Sequence, residues 1–187
     1  MERETSDADL VSRMRNGDER AFNVIYERTS SPVFRFLLSM SADRAVAEEA
    51  LQETFLELIR RPEGYDPSRG QIRPYLLGVA RNKLRRHFAS VRRVEEIPED
   101  SPSETLDPFE HLDRSERVAA LRQAIGSLPE AYREAVVLCD LEELSYEEAA
   151  AALGTAIGTI RSRLHRGRAL LLKKLAADRG VLSESIR

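Results

Sequence analysis

The segment LPEAYREAVVLCDLEELSYEEAAAALGTAIGTIRSRLHRGRALLLKKL, residues 128–175, decides the fold. Within it Ser145 and Glu148 precede and enter the run YEEAAAAL at the spacing of a capping box, in which hydroxyl and carboxylate satisfy each other's orphan amides. Gly154 follows the run, where a left-handed residue is expected to close the helix. The small Ala149 and Ala150 let a following helix cross closely. In that helix Ile157, Ile160, Leu164 and Leu171 form one stripe at helical spacing and are expected to be buried, while Ser162, His165 and Arg166 point outward and Arg161 sits at the edge. A short helix, a glycine turn and a helix with a basic outer face is the arrangement of major-groove readers. A purely structural helical hairpin is the alternative. Upstream, helices are expected over about residues 115–125 and through Tyr132 to Asp140, separated by a break at Gly126 to Pro129.

Composition extends the helical reading to the whole chain. Of 187 residues, 42% are apolar and 33% charged, which excludes a wholly disordered chain. Trp is absent, Gly and Pro are sparse, and Leu and Ala dominate the apolar set, so an all-α protein is expected rather than a sandwich or barrel. Residues 1–10 are polar and acidic and no long apolar run follows, so neither a signal peptide nor a membrane span is expected and the location reads as cytoplasmic. Cys139 is the one cysteine, which excludes an internal disulfide and leaves three scattered histidines without a metal-binding companion. No metal or other cofactor is expected, and Cys139 reads as a small buried residue.

The net charge of −3 conceals two basic blocks. Residues 65–93 hold eight cations against one anion, and residues 159–179 hold seven against one. The intervening stretches are acidic, at −7 over residues 94–120 and −5 over 121–158. Clustered cations, rather than a high overall pI, neutralise phosphates and release counterions, so two separate nucleic-acid contacts are implied; two solvated basic helices are the plainer reading.

Residues 94–113 carry Pro98, Pro102 and Pro108 among acidic residues and serine, without apolar periodicity, and read as an extended acidic linker. Two small helical domains are therefore expected, over residues 1–93 and 114–176, with an unstructured tail from Ala176 over residues 177–187. In the first, the helix AEEALQETFLELIRR (47–61) turns Ala47, Leu51, Thr54, Phe55 and Leu58 to the core, and Glu49, Gln52, Glu53 and Arg60 outward with Leu56 among them. An apolar residue centred in a polar face is either incidental or part of a docking surface. The loop EGYDPSRGQIR (63–73) leads to Pro74, suited to a helix first turn, and the helix PYLLGVARNKLRRHF. There Leu76, Leu77, Leu84 and Phe88 are expected to be buried, and Tyr75, Gly78, Asn82, Arg85 and Arg86 to share the opposite face. An exposed aromatic, an amide and arginines on one face suit single-stranded DNA; a solvated helix is the alternative.

These segments resemble a known family. AEEALQETFLELIR is similar to the polymerase-binding helix of extracytoplasmic-function sigma factors, YDPSRGQIRPYLLGVARNKLRR to their −10 segment, and residues 128–175 to their −35 domain; together the likeness spans about residues 8–175. It implies docking of Glu49, Gln52, Glu53, Leu56 and Arg60 on the clamp coiled coil of the polymerase's largest subunit, with the −35 domain near the flap region. It implies capture of a base flipped from the non-template −10 strand by the loop from Tyr65 to Gln71, including Asp66, Ser68 and Arg69, with Tyr75, Asn82, Arg85 and Arg86 beside it. Arg161, Ser162, His165 and Arg166 would read the −35 duplex, and Arg163, Arg168 and Lys173 would meet phosphates. The acidic linker would thread the polymerase's RNA channel, an anti-sigma protein would clamp both domains, and the polymerase would perform all catalysis. Two positions depart from the family: Tyr75 stands where Trp is usual, so that it either stacks on a base more weakly or only packs, and Gly167 stands where Ala is usual, facing the buried stripe where close packing would account for it.

The rival class is a stand-alone helix-turn-helix regulator, which accounts for the second basic block but not the first. An enzyme acting on nucleic acid is more distant, because the sequence holds no metal-ligand spacing, glycine-rich phosphate loop or paired nucleophile and base.

Overall fold

The computed structural model describes the backbone over residues 5–95 and 116–184, with side chains over 5–91 and 118–176. Among the described residues all regular structure is helical: α1 (Asp7–Arg15), α2 (Glu19–Ser41), α3 (Arg44–Arg60), α4 (Ile72–Glu95), α5 (Glu116–Gly126), α6 (Glu130–Val136), α7 (Tyr146–Leu153) and α8 (Ile157–Glu184). Short 3₁₀ turns at Pro62–Gly64 and Pro67–Arg69 link α3 to α4, and a π turn over Val137–Leu141 prolongs α6. The expected linker lies outside the described residues for nearly all its length.

Side chains open the first three helices. Ser6 accepts from the Asp9 amide at 3.2 Å, Asp18 from Arg20 at 3.0 Å and Asp43 from Val46 at 3.1 Å. Each satisfies a donor that the helix cannot reach itself. Asp18 also receives both Nε and Nη2 of Arg13, at 2.9 and 2.8 Å, and its carboxyl is held below the usual range, first by that hydrogen bond. The α2, α3 and α4 helices bury Ile25, Phe36, Leu37, Leu58, Leu76 and Leu77, and Leu128, Leu138, Ile160 and Leu164 are buried by the helices that follow.

The two halves are packed on one another. One core runs from Val33, Leu37 and Leu77 to Ile125, Val137, Leu138, Ala149 and Leu153, with α4 against α7 and α2 against α5 and α6. Gly78 makes the α4–α7 approach possible, since a Cβ there would lie 2.9 Å from the Ala152 carbonyl oxygen.

Three expectations are corrected. Phe88, placed in the buried stripe of α4, is 38% exposed, and Ile157, placed in the stripe of α8, is 37% exposed. Among the described residues Leu84 is the last buried one of α4, and Ile157 opens its helix, so both lie at the edge of the core. The helix expected to end near Ala176 runs on to Glu184, leaving no unstructured segment immediately after Ala176.

Candidate nucleic-acid interface

The loop before α4 is held by its own side chains. Asp66 accepts both the amide and the hydroxyl of Ser68, at 2.9 and 2.7 Å, and these bonds lower its carboxyl below the usual range. Tyr65, expected to meet DNA, is only 4% exposed, and its hydroxyl donates to the Gly70 carbonyl at 2.9 Å. That bond closes the loop on itself. The Ile72 amide donates to Asp7 at 3.0 Å, so α1 caps the start of α4.

Tyr75, expected as an exposed aromatic, is half-buried instead, with its ring 5.6 Å from that of Tyr65. Burial pushes both phenols up. Together with Asp66, Arg69, Gln71 and Asn82 these tyrosines line a cavity of about 570 Å³. Its opposite wall is α7, with Glu147, Glu148, Ala151 and Ala152. Most −10 candidates are thus brought to one place. Arg85 and Arg86 are exposed beyond it, and Arg86 lies instead in a second cleft with Glu49, Glu53 and Lys83 between α3 and α4.

On α3 the candidates Glu49, Gln52, Leu56 and Arg60 are exposed, whereas Glu53 is tied to Lys83 of α4 at 3.2 Å. Lys83 also reaches Glu57 at 3.1 Å and holds that carboxyl below its usual value, first by hydrogen bonding. The stabilisation is therefore present at neutral pH and fades as pH falls through the lowered value. Sequence reasoning missed Ile59, 49% exposed and one turn from Leu56, and Tyr26, 41% exposed with its ring 4.7 Å from that of Phe55. The unusual number of apolar residues at the end of FLELI was the available signal.

The second basic surface is built on the capping box, which forms as expected. The Ser145 amide donates to Glu148 at 2.8 Å and the Glu148 amide to the Ser145 hydroxyl at 3.2 Å. Gly154 is left-handed, with φ of 60°, and the Thr155 amide returns to the Ala150 carbonyl at 3.0 Å. This turn carries the chain into α8, where Ile160 and Leu164 are buried and Arg161, Ser162, His165 and Arg166 are exposed. The Arg161 guanidinium lies 5.8 Å from the Tyr146 ring centroid. Arg163 is half-buried, Lys173 is exposed, and Arg168 is engaged by Asp140 at 2.5 and 3.1 Å. Gly167 is explained by packing: a Cβ there would meet Val136 Cγ2 at 2.8 Å and the Tyr132 carbonyl at 3.3 Å. The helix-propensity cost of this glycine, about 1 kcal/mol, is accepted for a close α6–α8 contact.

No helix among the described residues is long and apolar enough to cross a membrane, and none of their His, Cys, Asp and Glu side chains cluster as a metal would require.

The chain matches the sigma-70 region 2 family over residues 25–94 and the sigma-70 region 4 family over residues 119–171. It is 35% identical to the ECF RNA polymerase sigma factor SigE of Mycolicibacterium smegmatis, over 90% of this chain and 68% of that one. It is 34% identical to the ECF RNA polymerase sigma factor SigM of Bacillus subtilis, over 86% of this chain and 97% of that one. The fold matches that of the sigma factor RpoE from Bartonella quintana, solved in complex with the anti-sigma factor NepR, with a TM-score of 0.64 and 25% identity over 84% of this chain and 98% of that one. The helix-turn-helix of α7 and α8 and the basic helix α4 thus fall within regions 4 and 2 respectively, and the chain belongs to the extracytoplasmic-function sigma factors of RNA polymerase.

Proposed function

We propose that this protein binds core RNA polymerase through the exposed face of α3, carries it to promoters with paired −35 and −10 elements, and promotes melting of the −10 element. The observation that supports this most is the gathering of Tyr65, Asp66, Arg69, Gln71, Tyr75 and Asn82 around one cavity, on a different element from the exposed basic face of α8. A cavity of about 570 Å³ has room for an extruded nucleotide. Base extrusion costs a few kcal/mol, so a pocket that accepts only certain bases couples sequence choice to strand opening. Arg161, Ser162, His165 and Arg166 read base edges of the −35 duplex in this account, and Lys173 meets phosphate. Catalysis belongs to the polymerase. The complex of the similar RpoE with NepR supports an anti-sigma partner here, and cytoplasmic location follows from the work proposed.

Leu56, 38% exposed on the polar face of α3, is the centre of the proposed polymerase contact. Leu56→Glu is expected to leave the fold intact and to weaken co-elution with purified core polymerase by about tenfold or more, the effect of a charge forced into a docking surface. Undiminished co-elution of this variant would place the contact elsewhere.

A further inference from the structure

The segment between α3 and α4 is held at both ends by α1. Asp7, half-buried in the first turn of α1, accepts the Ile72 amide at 3.0 Å, where α4 begins. Arg15, the last residue of α1, donates through Nη2 to the Pro62 carbonyl at 2.9 Å, just after α3 ends. The first amides of a helix have no partner within it, and a carboxylate placed there also meets the positive end of the helix dipole. Among the described residues none that lines the −10 cavity belongs to α1. The match to sigma-70 region 2 begins at residue 25, so α1 lies ahead of it.

That helix is itself firmly seated. Leu10 and Val11 are 1% and 3% exposed, and Met14 packs on the same core. The Arg13–Asp18 pair fixes the turn into α2, and Arg28 of α2 donates to the Thr5 carbonyl at 3.2 Å, ahead of α1. A nine-residue helix anchored in this way gives Asp7 and Arg15 a fixed separation of about 12 Å along its axis. Between the two held ends the loop is tied internally, Tyr65 to Gly70 and Asp66 to Ser68, while Asp66, Ser68, Arg69 and Gln71 stay exposed. Asp7 lies close to this knot, since its charge adds to burial in pushing the Tyr65 phenol up. A loop ordered before its ligand arrives loses less freedom on binding, and its affinity rises accordingly.

We propose that α1 is a clamp that sets the −10 loop, with Asp7 and Arg15 as positioning residues for capture of the non-template base. The effect on promoter DNA rests on the −10 role proposed for that loop; the clamp itself does not. Neither residue touches the strand in this account. Each acts through the backbone of the loop, Asp7 at Ile72 and Arg15 at Pro62.

Amide exchange and nitrogen-15 relaxation of the full chain read the clamp without polymerase or DNA. In Asp7→Ala the Ile72 amide is expected to exchange about tenfold faster, and the order parameters of Ser68 and Arg69 to fall from about 0.85 to below about 0.6. Arg15→Ala removes an exposed side chain, so it endangers the fold least, and is expected to loosen Gly64 and Tyr65 in the same way. Asp7→Asn keeps an acceptor oxygen and Arg15→Lys a donor, so both are expected to hold the loop as the parent does. In the holoenzyme, on a promoter recovered by run-off transcription, the two alanine variants are expected to bind the single-stranded non-template −10 segment about fivefold or more weakly. Binding of the −35 duplex and co-elution with core polymerase are expected to stay unchanged, and the conservative variants to behave as the parent. A loop as ordered in both alanine variants as in the parent overturns the clamp. A loosened loop with undiminished −10 affinity, or an equal loss on −35 and −10 DNA, overturns the positioning role. A parent that neither co-elutes with core nor supports transcription sinks the sigma reading and the promoter role together, while relaxation still decides the clamp, so the two failures are distinguishable.

Discussion

Arg166→Ala is expected to weaken binding of the polymerase holoenzyme to a −35-containing duplex by about 5- to 140-fold, with the melting temperature of the free protein unchanged. The magnitude is the discrimination available to a bidentate arginine on guanine, about 1–3 kcal/mol, converted to affinity. Its selectivity follows from position. Arg166 is exposed on α8 between the exposed His165 and the buried Gly167, and among the described residues no ion pair of the kind that ties Arg168 to Asp140 engages it. Removal is therefore expected to cost the proposed DNA contact and little else. The expected signature is relaxed preference at one −35 position, read by competition between promoter variants, with a nearly unchanged salt slope relative to Lys173→Ala, which should weaken all sequences alike. Uniform weakening across sequences in Arg166→Ala would reassign this residue to a phosphate.

Two residues away, Leu164→Ala is expected to fail for the opposite reason. Leu164 is 1% exposed, in the cluster with Leu128, Ala135 and Val136 that joins α8 to α6. Truncating a buried leucine costs about 2–5 kcal/mol through lost transfer energy and the cavity left behind. For a chain of this size that lowers the melting temperature by about 4–20 °C. DNA binding then falls only as far as the fraction folded falls, and cooling restores it, which Arg166→Ala cannot reproduce. A Leu164→Ala protein with a normal melting temperature would contradict the placement of the α8 stripe.

Local signals in the sequence were legible where one element satisfies itself. The Ser145–Glu148 box, the left-handed Gly154 and the outward set Ser162, His165 and Arg166 follow from spacing within a few residues, and the structure carries each of them. The exposure of Tyr75 was overestimated, and of its two readings packing is the one the structure carries, because its neighbour comes from outside its helix: the 3₁₀ turns fold Tyr65 back against it. Phe88 and Ile157 keep helical period but lie at the edge of the core, more than a third exposed, and periodicity does not report where a core ends. The packing of the halves was the least legible feature. Arg81 and Glu134, or Arg35 and Glu142, look like ordinary surface charges in sequence, and only tertiary structure brings them together. A faint trace was present in Gly78 on a supposed DNA face and in the alanines of YEEAAAAL, small residues on both sides of one close crossing.

Run-off transcription with purified core polymerase on a genomic promoter library, with and without the protein, tests the central claim most directly. The account predicts discrete new transcripts that share two spaced upstream elements and that disappear with Arg166→Ala and with Gln52→Ala. No new transcript, together with failure to co-elute with core while duplex DNA is still shifted, would contradict it and favour a helix-turn-helix regulator acting without polymerase.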